Sequence, residues 1–174
     1  MNLSLDLSTS HMGYAVYDKL VFIEAGCLDL SPKDSIHKRL DQAIEFLDVL
    51  CKKYNIKEIY IEQYAKAYSL SSISTILILS SFIETLMYCM YLKNIKCEMI
   101  NVLSARKRAG LVIPKQTDRK NTKSVILNFI QNRISKQQCP ILYEVKKTGT
   151  PKDHCFDVAD AIVIALAVNF SENQ

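Results

Sequence analysis

Two aspartates near the carboxyl end of the chain have the type and spacing needed to bind a cation together. Asp157 and Asp160 are three residues apart in a segment of strong helix formers, 152–168, so they should lie on one helical face about one turn apart. The residues after them are apolar, which predicts a helix with an acidic start and a buried body. An acidic first turn can also simply complement the helix dipole, with a contribution of about 0.3–1 kcal/mol.

Two further carboxylates occupy predicted strands. Asp6 lies within the alternating run 3–7, between Leu5 and Leu7, where β propensity and desolvation both disfavour an aspartate. A residue that conflicts with its local structure usually has a functional reason. Glu62 ends the run 56–62, at the carboxyl end of a strand, where open α/β sheets place their sites. Both acids are therefore candidates for the same site.

Positive charge is concentrated in one part of the sequence. Between Ser104 and Lys147 there are eleven Lys or Arg and two acidic residues, which is a local charge of +9. Because the net charge of the whole chain is +4, the rest of the chain has a charge of −5. A basic region beside an acidic cluster suits an enzyme that acts on a polyanion through bound metal. The alternative is a solvated lysine-rich surface, and charge alone does not separate the two.

Composition bounds the class of protein. A chain of 174 residues, 49% hydrophobic and 23% charged, fits a single globular domain over 1–174. The N-terminus has no signal-peptide pattern, and the six cysteines show neither zinc-site spacing nor a disulfide framework. We therefore expect an intracellular protein in a reducing compartment, in the cytoplasm or at a viral or phage replication site in a host.

The hydrophobic pattern predicts an α/β domain. Three short strands form an antiparallel meander, then helices and strands alternate, and two helices end the chain. The predicted strands are 3–7, 13–17, 21–26, 56–62 and 97–102, and the predicted helices are 36–54, 69–93, 122–134 and 152–168. Residues 106–121 and 137–151 are expected to be loops.

The segment 69–93 is apolar nearly all round. Its serines and threonine, with Glu84, interrupt any run of eighteen apolar residues, which argues against a membrane span. A helix with more apolar surface than one face can bury suggests that one side meets the sheet and the other a second subunit. The alternative is that the surplus packs under the last helix within one subunit. We expect a homodimer and no membrane partner.

At this level of detail the sequence resembles the ribonuclease H-like superfamily and, within it, the RuvC type of Holliday-junction resolvase. The resemblance covers Asp6 to Leu166 and rests on pieces in the right order. These are Leu5-Asp6-Leu7-Ser8 with Gly13-Tyr14-Ala15-Val16, Ile59-Tyr60-Ile61-Glu62-Gln63, a basic loop ending in Lys123, and Asp157-Val158-Ala159-Asp160-Ala161. It implies a five-stranded mixed sheet, with the meander joined by two parallel strands, flanked by helices.

The resemblance also implies the chemistry. Asp6, Glu62, Asp157 and Asp160 would hold two Mg²⁺ ions, or Mn²⁺ in their place, for phosphodiester hydrolysis in four-way DNA junctions. Asp6 would be shared by both ions, and Asp157 would be a ligand or a base acting through water. Four clustered carboxylates repel one another, so divalent cations that neutralise them agree with this implication. No small-molecule cofactor is expected.

Further residues are assigned by position. His154 is a base, a supporting partner of the ligands or part of a helix start, and Lys123 resembles a family lysine near the scissile phosphate. Tyr64 and Tyr68 follow Glu62, where family members stack aromatic residues at the junction centre, although Ala65 stands at the phenylalanine position. The residues expected to contact DNA phosphates are Arg106, Lys107, Arg108, Lys115, Arg119, Lys120 and Lys123.

The glycine content and the four acids also bear on other possible functions. Actin-like ATPases of this superfamily need Gly-rich phosphate loops, and the chain has four glycines. A non-catalytic nucleic-acid-binding module would not need four convergent acids. A flap, fork or RNA nuclease of the same superfamily stays an alternative to a junction resolvase.

Overall fold

The computed structural model describes residues 1–19, 21–63, 73–114 and 117–171. The strands are β1 (Asn2–Leu7), β2 (His11–Asp18), β3 (Val21–Asp29), β4 (Glu58–Glu62) and β5 (Lys96–Ile100). The helices are α1 (Ile36–Tyr54), α2 (Ile73–Tyr91), α3 (Val102–Arg108), α4 (Arg119–Gln131) and α5 (Asp153–Ser171), with a 3₁₀ helix at Pro140–Tyr143.

The described strands form one five-stranded sheet in the order β3-β2-β1-β4-β5. β1, β2 and β3 pair antiparallel, whereas β4 pairs parallel to β1, and β5 pairs parallel to β4. The predicted mixed sheet, a meander joined by two parallel strands, is therefore confirmed. The parallel pairs bring the carboxyl ends of β1 and β4 to the same edge of the sheet.

Each face of the sheet carries its own hydrophobic core. On one face, Leu3 and Leu5 of β1 pack with α1 and α2. On the other face, Tyr60 of β4 packs with α3, α4 and α5. Because side chains alternate along a strand, Ser4 and Asp6 of β1 turn toward the α5 face. The alternation that buries the leucines thus also selects the face on which the acids lie.

Two helix starts differ from the sequence prediction. Residues 97–102 were predicted as a strand, but β5 ends at Ile100, and the Asn101 side chain accepts hydrogen bonds from the backbone N–H groups of Leu103 and Ser104. This cap begins α3, a helix of seven residues that is too short for a periodic signal. α4 begins at Arg119, before the predicted start at Thr122, because the Asp118 side chain accepts from Asn121 N–H.

α2 has a buried side and an exposed apolar side. Its buried residues, such as Phe82 and Leu86, pack on the α1 face, whereas α5 lies across the sheet. The alternative that its surplus packs under the last helix is therefore wrong for the described residues. Length and composition alone would let α2 cross a membrane. The mean hydropathy of its most apolar 18-residue stretch is 1.7, and 22% of that stretch is buried in the protein. One such helix is weak evidence, and the absence of a membrane partner stays a prediction.

Candidate metal and nucleic-acid site

The ends of two parallel strands place the first two acids side by side. Leu5 of β1 is paired with Ile61 of β4, so Asp6 and Glu62, the next residues, follow at the same edge. Leu5 and Ile61 are fully buried under α1 and α2. Strand alternation therefore turns Asp6 and Glu62 to the opposite face, which α5 covers.

A glycine and a serine let α5 approach this edge closely. Gly13 of β2 pairs with Asp6, and a Cβ added at Gly13 would lie 2.4 Å from the backbone oxygen of Asp157. The Ser4 hydroxyl lies 2.7 Å from the Ala161 carbonyl and donates to it, which fixes the third turn of α5 on β1. Neither residue was predicted as part of the site. A glycine inside a strand, which often marks a close backbone approach, was the available signal.

Three of the four predicted carboxylates converge. One oxygen from each of Asp6, Glu62 and Asp160 lies within 4.8 Å of the others, and Asp160 is only 8% exposed. Asp157 is not in this group in the described part of the chain. Its carboxylate lies 3.9 Å from the Lys123 ammonium. The two aspartates of α5 thus have different partners.

Burial raises the pKa of all four carboxyls, and repulsion by other acids of the site adds to this for Asp6, Glu62 and Asp160. For Asp6, burial and then the charge of Glu62 raise the pKa well above its usual range. Burial and then Asp160 raise the pKa of Glu62 to about 7. Burial raises the pKa of Asp160 against the opposing charge of Arg106, and that of Asp157 against Lys123. Without a bound cation, Glu62 is therefore partly protonated near neutral pH.

The donor set fits a hard divalent cation. Mg²⁺ and Mn²⁺ prefer carboxylate oxygens, and the converging acids offer such oxygens from three different elements. A divalent charge offsets the repulsion that now raises their pKa values. The arrangement can therefore bind metal beside a basic surface.

Arg106 lies inside the site rather than on the basic surface. Its Nη2 is 3.5 Å from Asp160 Oδ1, and its Nε is buried without a hydrogen-bond partner among the described residues. Ala105 and Ala109, both buried in the core that α5 shares, anchor α3 here. The sequence placed Arg106 among the residues that track the DNA backbone. The structure separates it from exposed Lys107 and Arg108, because α3 was predicted as a loop without a buried side.

Two other predicted residues lie beside Asp157. Lys123 also lies over the Phe156 ring, 5.6 Å from its centroid. His154 Nε2 is 3.3 Å from Glu144 Oε2, so this histidine faces the segment before α5. That contact favours the helix-start role among the three considered, although His154 still acts electrostatically on Asp157.

The side chains of the remaining predicted DNA contacts lie outside the part of the chain that the structure describes. Tyr64, Tyr68 and Lys115 lie outside the described residues. Arg119 and Lys120 belong to the first turn of α4, but their side chains are also outside the described part. Their roles in DNA binding stay predictions.

Comparison with known proteins gives no match at the level of sequence and clear matches at the level of fold. No family model and no curated protein matches the chain. Thermus thermophilus RuvC, solved in complex with a Holliday junction substrate, has a TM-score of 0.66 at 10% identity, covering 99% of this chain and 96% of that one. A second T. thermophilus RuvC structure gives 0.61 at 9% identity, covering 99% and 95%.

A third match comes from a eukaryote. The yeast mitochondrial Holliday junction resolvase Ydc2 has a TM-score of 0.65 at 15% identity, covering 99% of this chain and 78% of that one. The chain has the ribonuclease H-like fold of these resolvases. The resemblance drawn from the sequence is therefore confirmed at the level of the fold, with nearly the whole chain included.

Proposed function

We propose that the protein is a metal-dependent endonuclease that resolves four-way DNA junctions. The observation that carries this proposal is the convergence of Asp6, Glu62 and Asp160, beside the basic helices α3 and α4, on a ribonuclease H-like fold. Acids that bind cations and bases that attract phosphates are both needed for phosphodiester hydrolysis. The similar proteins of known structure are themselves junction resolvases, which supports this substrate.

The residues divide the work in this proposal. Asp6, Glu62 and Asp160 would hold two Mg²⁺ or Mn²⁺ ions, with Asp6 shared. The bound ions supply an activated water and charge neutralisation at the scissile phosphate. Arg106 inside the site and Lys123 at its rim add positive charge beside the acids, where an incoming phosphate is drawn into the site. Asp157, paired with Lys123, can accept a proton from a water at the site.

We also propose that the protein acts as a homodimer through α2. A four-way junction presents equivalent strands related by a two-fold axis, and a C₂ dimer can nick both in one encounter. Large apolar side chains on α2 are exposed to water in a single chain. They are Ile73, Leu77, Ile78, Tyr88 and Tyr91. Burying such a side chain contributes about 1.5–3 kcal/mol, so a second subunit gains much from covering them.

The order of residues along α2 fits an antiparallel pairing. At 100° per residue, one stripe of the helix contains Ile73, Leu77, Ser80, Glu84, Tyr88 and Tyr91. A two-fold axis through the middle of α2 places Ile73 opposite the partner subunit's Tyr91 and Leu77 opposite the partner subunit's Tyr88. The apolar ends then meet apolar ends, and Ser80 meets the partner subunit's Glu84. The stripe is therefore complementary to itself, as an isologous interface requires.

One assay tests the proposed activity. Labelled four-way junction, linear duplex, flap, fork and RNA–DNA hybrid are incubated with the protein and Mg²⁺ or Mn²⁺, with Asp6→Asn as the inactive control. We expect paired nicks at symmetric positions in the junction, with 5′-phosphate and 3′-hydroxyl ends, and little cleavage of duplex. Preferential cleavage of flap, fork or hybrid would instead establish the alternative nuclease. Binding to the junction without cleavage in either metal would leave a non-catalytic module.

The place of action is proposed from cysteine chemistry. All six cysteines are free thiols, and Cys51, Cys139 and Cys155 are buried. Burial raises the pKa of the Cys51 thiol to about 11 and that of Cys139 to about 11, so neither is a reactive thiolate at neutral pH. These features support a reducing intracellular compartment, such as the cytoplasm or a viral or phage replication site.

A further inference from the structure

The turn between β1 and β2 lies immediately after Asp6 and is tightly held. The Ser8 side-chain oxygen accepts the backbone N–H groups of Ser10 at 3.3 Å and His11 at 2.9 Å. The Ser8 N–H donates to the His11 carbonyl at 2.9 Å. From α1, an Arg39 Nη1 donates to the Thr9 carbonyl. These bonds fix the backbone from which His11 projects.

His11 faces the amino-terminal turns of α5. It lies two residues before Gly13 on β2, so alternation places both positions on the sheet face that α5 covers. Gly13 lies directly beneath the backbone of Asp157. In agreement, burial raises the pKa of the Asp157 carboxyl, and the groups that oppose this rise are Lys123 first and then His11. His11 thus lies at the rim of the site, on the side of Asp157.

The hydrogen bonds around His11 orient its ring. The Ser8 hydroxyl lies 3.0 Å from the His11 carbonyl and donates to it. The Ser10 oxygen is 3.0 Å from His11 Nδ1 and 3.4 Å from the Ser8 oxygen, so its nearer partner is the ring. In the tautomer that accepts the Ser10 hydroxyl at Nδ1, and equally in the doubly protonated ring, Nε2 carries a proton.

His11 Nε2 makes a loose contact that a ligand can replace. It lies 3.6 Å from Asp29 Oδ1, within ion-pair distance but beyond hydrogen-bond range. Asp29 is itself largely exposed, with 78% of its side chain accessible, so it can turn away into solvent. A donor at the rim of an acidic site, near the Asp157 carboxyl that Lys123 also contacts, suits an anionic oxygen.

We propose that His11 is a substrate-contacting residue of the nuclease site, whose Nε2–H donates to a non-bridging oxygen of a DNA phosphate neighbouring the scissile one. This inference rests on the proposed function. The neighbouring phosphate is chosen because His11 lies beside Asp157 rather than beside the three converging acids, which take the scissile group. Ser10 is a positioning residue that holds the imidazole by its hydroxyl.

The test compares His11→Ala, His11→Gln and Ser10→Ala with His37→Ala, which removes an exposed histidine of α1 on the far side of the sheet. With enzyme well below the concentration that saturates the junction, His11→Ala should cleave roughly ten- to a hundredfold more slowly than wild type, the range expected for a lost hydrogen bond to a charged group that contributes to substrate binding. His11→Gln, whose amide can place an N–H near the Nε2 position, should recover much of the rate. Ser10→Ala should lose less than His11→Ala, and His37→Ala should match wild type.

A second measurement locates the contact without relying on cleavage. Junctions with a neutral methylphosphonate at one phosphate at a time are titrated with protein in metal-free buffer. At one position next to the scissile phosphate, the methylphosphonate should weaken binding by wild type. It should not weaken binding by His11→Ala, which already lacks the contact. Equal penalties for both proteins at every position would overturn the inference, as would His11→Ala cleaving as fast as His37→Ala. A wild type that neither binds nor cuts junctions would overturn the proposed function itself.

Discussion

The acidic site and the exposed stripe of α2 are both unfavourable in a single chain, for opposite reasons. At the site, Asp6, Glu62 and Asp160 crowd negative charge into a partly buried position, and their pKa values rise in response. On α2, side chains such as Leu77 and Tyr88 expose apolar surface to water. Each region violates the usual preference for its residue types.

The difference between the two regions is in what would complete them. Localised like charges are relieved by a compact opposite charge, which a divalent cation supplies. A long apolar stripe is relieved by another apolar surface of similar length, which a second copy supplies. A region that conflicts with its surroundings can therefore indicate both that a partner binds and what its chemistry is. The predictions below test each side of this comparison.

The largest effect is expected from the converging acids. Asp6→Asn, Glu62→Gln or Asp160→Asn should reduce junction cleavage by roughly a thousandfold or more, because each removes a metal-binding oxygen. Junction affinity in a mobility-shift assay should change little, since it depends on the basic surface. The matched control is Asp41→Asn, which changes an exposed acid of α1. An active Asp6→Asn enzyme would contradict the assignment.

The close approach of α5 gives the next largest effect. Gly13→Ala would place a methyl group 2.4 Å from the Asp157 backbone oxygen, which cannot rotate away, so α5 has to shift. We expect cleavage to fall by roughly a hundredfold, since misplacing catalytic groups by about 1 Å has effects of this order. Gly149→Ala, at a positive φ but with open space around it, is the control. Equal effects of the two substitutions would show that the contact does not position the acids.

The apolar stripe is tested by adding charge to it. Tyr88→Glu places a carboxylate one turn from Glu84 and inside the proposed interface, so the dimer should dissociate at micromolar concentration in sedimentation. Two control variants should stay dimeric. They are Tyr88→Phe, and Val49→Glu at an exposed position of α1. Loss of paired nicks should accompany dissociation. A monomeric wild type, or one that sediments only with lipid vesicles, would reject the dimer.

Stability as a function of pH tests the charge repulsion. A carboxyl whose pKa is raised on folding contributes stability that is present below its unfolded pKa and lost as pH rises through the folded pKa. For Glu62 the loss runs from about pH 4.5 to about pH 7. In EDTA, wild type should lose several degrees of Tm across this range, and Asp6→Asn should lose less. Mg²⁺ should raise the Tm of wild type at pH 7 more than that of Asp6→Asn. Identical pH profiles for the two proteins would show that the acids do not repel.

The smallest effect concerns the outer basic surface. Lys107→Ala or Arg108→Ala should each flatten the dependence of log affinity on log salt by about one unit, because each removes one phosphate contact. Lys52→Ala, on the opposite face of the sheet, should leave the slope unchanged. An unchanged slope for Lys107→Ala and Arg108→Ala would place the DNA path elsewhere.

Much of the fold could be predicted from the sequence because its signals are local. The alternation of Leu3, Leu5 and Leu7, and the spacing of apolar residues along α1, follow from strand and helix periods. Asp6 was identifiable because an acid inside a strand conflicts with local preference. Glu62 was identifiable because it ends a strand, and Asp157 and Asp160 because their spacing places them on one helical face. α3 was missed because a seven-residue helix set by the Asn101 cap gives no periodic pattern.

Only the tertiary structure decided how these residues are combined. The spacing of Asp157 and Asp160 does not say which of them meets the other acids, but Asp160 joins Asp6 and Glu62 while Asp157 pairs with Lys123. Likewise, no sequence pattern distinguishes the role of Arg106 from the roles of Lys107 and Arg108. Both distinctions depend on how closely α5 and α3 dock on the sheet, which in turn depends on Gly13, Ser4 and buried alanines. Distances between elements far apart in the chain are set by packing, and local periodicity carries no information about them.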